Sequence, residues 1–73
     1  MPNARSTWGS NIRAARQAQG LSQSELARRL QITPASISQW ESGTTAPKDE
    51  HRSVLVTVLE SDYLSLFPIE VSA

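Results

Sequence analysis

Apolar side chains recur at helical spacing in three places along the first two thirds of the chain, with small or polar residues between them. Trp8, Ile12 and Ala15 fall at i, i+4 and i+7, one face of a first helix that Gly20 closes as a left-handed cap. Leu26, Ala27 and Leu30 make the inward stripe of a second helix, Ile37 and Trp40 that of a third, and Ile32 lies in the turn between them. Both later helices have marked entries. Ser22-Gln23-Ser24-Glu25 is an S-x-x-E capping box flanked by Leu21 and Leu26 as a hydrophobic staple. Thr33 as cap, Pro34 at the first helical position and the Ile32/Ile37 pair repeat the device. The pattern predicts helices over about residues 7–19, 23–30 and 34–41, the last two joined by a tight turn. Residues 1–6 lack apolar periodicity and are expected to form a mobile N-terminal arm.

After Lys48 two readings compete. The run Val54-Leu55-Val56-Thr57-Val58 is β-branched and suits a strand by propensity. Against that, Asp49 and Glu50 are first-turn acids, and Leu55 and Leu59 lie four apart. The favoured reading is all-α, with a fourth helix over 48–60 and a short fifth over 62–67, capped by Ser61 and stopped by Pro68; residues 68–73 are a tail. The alternative is an α+β fold with a hairpin from about residue 53, turning at Glu60-Ser61-Asp62. The expected core is Trp8, Ile12, Leu21, Leu26, Ala27, Leu30, Ile32, Ile37, Trp40, Leu55 and Leu59.

Seventy-three residues make one domain with one small core, and with no cysteine its stability must come from packing. No apolar run approaches the ~18 residues that span a bilayer, and no secretory leader opens the chain, so no membrane partner is expected. The zero net charge conceals an asymmetry. Residues 1–48 carry six basic and two acidic groups, a net +4, while residues 49–73 carry Arg52 against five acids, a net −4. The basic half is the one with the paired capped helices. A pI near 6.5 nonetheless implies only modest, salt-sensitive affinity for a polyanion.

Projected at ~100° per residue, the third helix turns Ile37 and Trp40 inward and Ala35, Ser38, Gln39 and Ser42 outward. Glutamine can pair with the N6/N7 edge of adenine, serine with several base edges, and an alanine methyl with that of thymine. Gln23 opens the second helix, whose free amides can hold a phosphate. Ser22, Ser42, Thr44, Thr45 and Lys48 bracket the third helix and could grip a nucleic-acid backbone, although capping and turn formation also account for them. Arg16 shares a face with Ile12 and Ala15, so its charge needs a partner, and Glu41 is the best candidate for a structural ion pair. Arg28 and Arg29 are expected in solvent, with Glu25 and Arg29 as an i,i+4 pair.

The segments Ile12-Arg13 to Arg16, Gly20-Leu21-Ser22-Gln23-Ser24-Glu25-Leu26-Ala27, and Ile37-Ser38-Gln39-Trp40-Glu41-Ser42-Gly43 with Pro47 resemble the lambda-repressor-like helix-turn-helix proteins. These are phage repressors, Cro proteins and small XRE-like bacterial regulators. The resemblance runs from about Trp8 to Pro47 and more loosely beyond, where Leu55, Leu59, Tyr63 and Leu64 fit the last two helices after a short deletion. It implies a compact five-helix domain that binds a double-stranded DNA operator, usually as a dimer, in the bacterial cytoplasm or nucleoid. By resemblance, Ala35, Ser38 and Gln39 match base-reading positions, flanked by Ser36, and Gln23 matches a DNA contact. Three departures stand out: Pro34 where relatives often have a polar reader, no basic residue in the loop Ser42–Pro47, and Gln31 in place of a turn glycine.

The reading that follows is a transcription regulator acting as a weak or DNA-induced homodimer on a near-palindromic operator. The apolar tail residues Tyr63, Leu66, Phe67, Ile69 and Val71, with the loop before the fourth helix, are the expected dimer surface. The alternative is a protein-interaction module such as an antitoxin, suggested by zero net charge and the apolar tail Leu64, Leu66, Phe67, Ile69 and Val71. Enzyme chemistry is not expected: His51 is the sole histidine, read as an exposed helix residue, and neither an activated nucleophile nor a phosphate loop is present. No cofactor, metal or small-molecule substrate is called for.

Overall fold

The computed structural model describes residues 4–69 and is all-helical there. Helices α1 (Ala4–Ala18), α2 (Gln23–Leu30), α3 (Pro34–Ser42), α4 (Asp49–Val58) and α5 (Tyr63–Leu66) follow one another without a strand among the described residues. The hairpin alternative is therefore excluded. Three valines in α4 prefer a strand, but the helix lets Leu55 and Leu59 face the core together at 0% and 1% exposure while Val54 points outward. Hydroxyl back-bonds from Ser53 to the Asp49 carbonyl and from Thr57 to the Ser53 carbonyl lie along the same helix.

The termini of α2 and α3 follow from their sequence chemistry. Ser22 Oγ accepts the Glu25 N–H at 3.0 Å and Glu25 Oε1 accepts the Ser22 N–H at 3.0 Å, a closed capping box. Thr33 Oγ1 accepts the Ser36 N–H at 3.3 Å, with Pro34 next in line. α2 ends at Gln31 in the left-handed region (φ 59°, ψ 43°), and the Ile32 N–H reaches back to the Ala27 carbonyl. A residue with a Cβ adopts this turn at a cost of ~1 kcal/mol. Gly43 closes α3 in the same way at φ 80°.

Several boundaries differ from expectation. α1 begins at Ala4, so residues 4–6 are helical and not part of an arm; residues 1–3 lie outside the described residues. The cause is a seam of small residues. A Cβ built on Gly9 would lie 2.3 Å from the Trp40 carbonyl oxygen and 2.7 Å from that of Glu41, so α1 crosses α3 at backbone contact distance. One turn earlier, Ser6 meets Gly43 at the end of α3. Small residues create this close approach without leaving an apolar pattern. At the other end Asp62, not Ser61, occupies the N-cap of α5, and Ser61 Oγ instead donates to the Leu59 carbonyl.

The buried core comprises Ile12, Leu21, Leu26, Ala27, Ile37, Trp40, Leu55, Leu59, Leu66 and Phe67, with Trp8, Ala15, Leu30, Ile32, Val56 and Val58 packed against it. Leu66 and Phe67 were expected on a dimer surface and are instead core residues, at 2% and 1% exposure. α5 folds back onto α1, where Phe67 meets Trp8 edge to face at 5.2 Å between centroids. Asn11 Nδ2 donates to the Leu66 carbonyl at 3.0 Å and Trp8 Nε1 to the Pro68 carbonyl at 3.4 Å. Of the remaining dimer candidates Tyr63 and Ile69 are exposed, and Val71 lies outside the described residues. No helix among the described residues is long and apolar enough to cross a membrane.

Candidate nucleic-acid interface

Burying Ile37 and Trp40 fixes the rotation of α3 about its axis, and that rotation leaves Ala35, Ser38, Gln39 and Ser42 exposed along one stripe. The first three are the residues assigned to base edges. Ser36 is only half exposed, and its hydroxyl is 3.1 Å from Thr33 Oγ1, so it serves the cap of α3. Ser42 Oγ donates to the Gln39 carbonyl at 3.1 Å and shares a 2.8 Å hydrogen bond with Thr44 Oγ1. Those hydroxyls lock the end of the helix. Thr45 and Lys48 are exposed, with Lys48 at the N-cap of α4.

A polar network sits behind the stripe. Arg16 Nε donates to Glu41 Oε2 at 2.6 Å and its NH2 group to Oε1 at 3.0 Å, a two-pronged pair. A third bond runs from the Arg16 NH1 group to the Leu21 carbonyl at 2.8 Å. Both side chains are shielded, 11% and 5% exposed. The hydrogen bonds to Glu41 raise the Arg16 pKa above its ordinary value against the opposing effect of burial, so the guanidinium stays charged. Gln23 Nε2 donates to the same Glu41 carboxylate at 3.1 Å, tying the first residue of α2 to α3. Arg16, Gln23 and Glu41 thus hold three helices in one arrangement.

The expected Glu25–Arg29 ion pair does not form, because the Glu25 carboxylate is used in the capping box. The backbone N–H of Ser22 and then its hydroxyl hold the Glu25 pKa below the ordinary glutamate value, with smaller contributions from the fields of Arg28 and Arg29.

Sequence reasoning did not find the depression that this network walls. An open, predominantly polar recess of about 220 Å³ is lined by Arg13, Arg16, Gln23, Ser38, Glu41 and Ser42. Arg13 stands one turn before Arg16 on α1, and that spacing was the available signal. His51 also departs from expectation. It is half-buried with its ring 5.3 Å from that of Trp40, since α4 packs over the inward side of the helix pair. Arg52 lies over the Trp8 ring, 4.9 Å from its centroid, and pairs with Asp49.

A family model described as helix-turn-helix matches residues 12–59, which include every wall of the recess and the exposed stripe. Among curated proteins no relative matches the sequence. Among solved structures, the clp gene regulator ClgR from Corynebacterium glutamicum superposes with a TM-score of 0.82 at 23% identity, covering 90% of this chain and 86% of that one. A second crystal structure of ClgR gives 0.84 at 23% identity, over 89% and 69%. The restriction-modification controller protein C.AhdI from Aeromonas hydrophila gives 0.79 at 27% identity, over 86% and 96%.

Proposed function

The chain belongs to the lambda-repressor-like helix-turn-helix family, and from that premise we propose that it is a sequence-specific, DNA-binding transcription regulator of the phage repressor or small bacterial type. The observation that carries the reading is the exposed stripe Ala35, Ser38 and Gln39 on a helix whose other side is anchored by Ile37 and Trp40. These side chains are uncharged, and α3 itself carries no lysine or arginine among them, which suits contact with base edges in a major groove. Gln23, Ser22, Ser42, Thr44, Thr45 and Lys48 surround that stripe as backbone contacts. The solved relatives are named for control of genes or of a restriction-modification system, which fits a regulatory role.

In this reading two copies bind a near-palindromic operator, with reading helices in major grooves ~34 Å apart. Tyr63 and Ile69, joined by exposed Leu64, supply the apolar surface between copies. Selection of bound fragments from random duplex DNA tests the proposal. It should return a two-fold site, on which Gln39→Ala loses ~1–3 kcal/mol while unrelated DNA is bound almost as before. Lys48→Gln should weaken binding to all sequences alike and reduce the salt slope by about 0.9. A chain that enriches no duplex at low salt would refute the DNA reading and favour a protein-interaction module.

A further inference from the structure

We propose that the recess between α1, α2 and α3 is a seat for one phosphate of the DNA backbone, with Arg13 as its cation. The inference rests on the DNA-binding reading and adds to it a contact that neither the stripe nor the loop supplies. Between Leu30 and Pro47 the chain has no lysine or arginine, so the reading helix and the loop after it bring no positive charge to a polyanion. That charge must come from a neighbouring element.

The recess is where a neighbouring element reaches the stripe. Ser38 and Ser42 form its α3 wall and belong to the outward face, while Gln23 stands at the first position of α2. Arg16 cannot serve as the free cation, because its guanidinium is committed to both oxygens of Glu41 and to the Leu21 carbonyl. Its charge cancels that of Glu41. The positive charge that remains on the lining is Arg13, which is exposed and in no ion pair among the described residues.

The donors suit an oxyanion. Arg13 offers a planar fork that matches phosphate oxygens, and Gln23 Nε2 keeps a second N–H after bonding Glu41. The recess, with a volume of about 220 Å³, leaves room for a phosphate group with residual solvent. Glu41 acts here through Gln23, orienting its amide while Arg16 removes the repulsion that a bare carboxylate would exert. The ion pair is thereby a positioning element for the contact as well as a tie between helices.

The test measures binding of the full chain to a mixed-sequence duplex as a function of salt, for wild type, Arg13→Gln and Arg13→Lys, with melting curves to confirm the fold. Arg13→Gln should bind on the order of tenfold more weakly at low salt and lower the salt slope by about 0.9, and Arg13→Lys should restore the slope. On a duplex selected from random DNA, which fixes the register, replacing single phosphates by neutral methylphosphonates should reveal one position per bound copy where wild type loses affinity and Arg13→Gln loses no more. An unchanged slope for Arg13→Gln, or losses that add at every phosphate position, would overturn the assignment. So would inorganic phosphate that binds at Arg13 without displacing DNA, which would make the recess a free-anion site. A wild-type chain that binds no duplex at all would instead bring down the DNA-binding reading itself.

Discussion

Replacing Gly9 by alanine opposes two effects of known sign. In the interior of a helix, alanine is favoured over glycine by ~1 kcal/mol, so propensity alone predicts stabilisation. Packing predicts the reverse. The added methyl would sit 2.3 Å from the Trp40 oxygen, 2.7 Å from the Glu41 oxygen and 2.9 Å from the Glu41 carbonyl carbon. Ordinary van der Waals contact begins near 3.4 Å, so α1 and α3 must separate by about 1 Å. The obstacles are backbone atoms and cannot rotate away, which places the cost toward the upper end of the ~1–3 kcal/mol typical of overpacking. The net loss is then ~2 kcal/mol, and at ~4–8 °C per kcal/mol for a domain of this size the melting temperature should fall by roughly 10–15 °C. Thermal and urea unfolding followed by circular dichroism would measure it. Ala14→Gly, at an exposed position of the same helix, isolates propensity and should cost ~1 kcal/mol. A Gly9→Ala protein as stable as wild type, or more so, would refute the close crossing of α1 and α3.

Arg16→Ala and Glu41→Ala should each destabilise by about 3 kcal/mol, since either change strands a shielded charge, and the double variant should recover part of the loss; strictly additive losses in urea titrations would contradict the coupling. The carboxyl carbon of Glu25, followed by NMR, should titrate below the ordinary glutamate value. Because the folded pKa is lowered, the capping box contributes fully above the unfolded value and its contribution disappears as pH falls through the folded one. Ser22→Ala should move the midpoint back toward the ordinary value, and an unmoved midpoint would deny the cap its role. Gln31→Gly relieves a left-handed residue at φ 59° and should raise stability by up to about 0.5 kcal/mol after allowing for glycine's extra freedom when unfolded; a lower melting temperature would contradict this.

The helix-turn-helix was legible because its determinants are local. A capping box, a proline at the first helical position and staples act within one turn of chain, so Ser22, Glu25, Thr33 and Pro34 mark helix starts wherever the rest of the molecule lies. The stripe on α3 was legible for a related reason, since burying Ile37 and Trp40 leaves one rotation available. What escaped notice depends on distant partners. The seam at Ser6, Gly9 and Gly43 is made by atoms that are absent, and absence leaves no periodicity. Leu66 and Phe67 look like surplus apolar surface until Trp8 and Asn11, more than fifty residues away, supply the ring and amide that hold them. Arg13 was passed over because its significance comes from a recess whose walls belong to three helices.

Placing Leu66 and Phe67 in the core changes the energetics of the proposed dimer. Among the described residues, Tyr63, Leu64 and Ile69, with Val54 on α4, are the large apolar side chains left exposed, a small apolar centre for an interface. A pair of copies held by so little is dominated by the translational and rotational freedom lost on association. On a two-fold operator the DNA removes most of that cost, because each copy is already held by its own half-site and the weak apolar contact acts at high effective concentration. Under the proposed two-fold reading, selectivity would depend on both half-sites being present together, because a reading helix without lysine or arginine gives each copy few phosphate charges with which to hold a single half-site at moderate salt. In that proposal, zero net charge and a small apolar surface work in the same direction, and both make paired occupancy of a full operator the expected condition for binding.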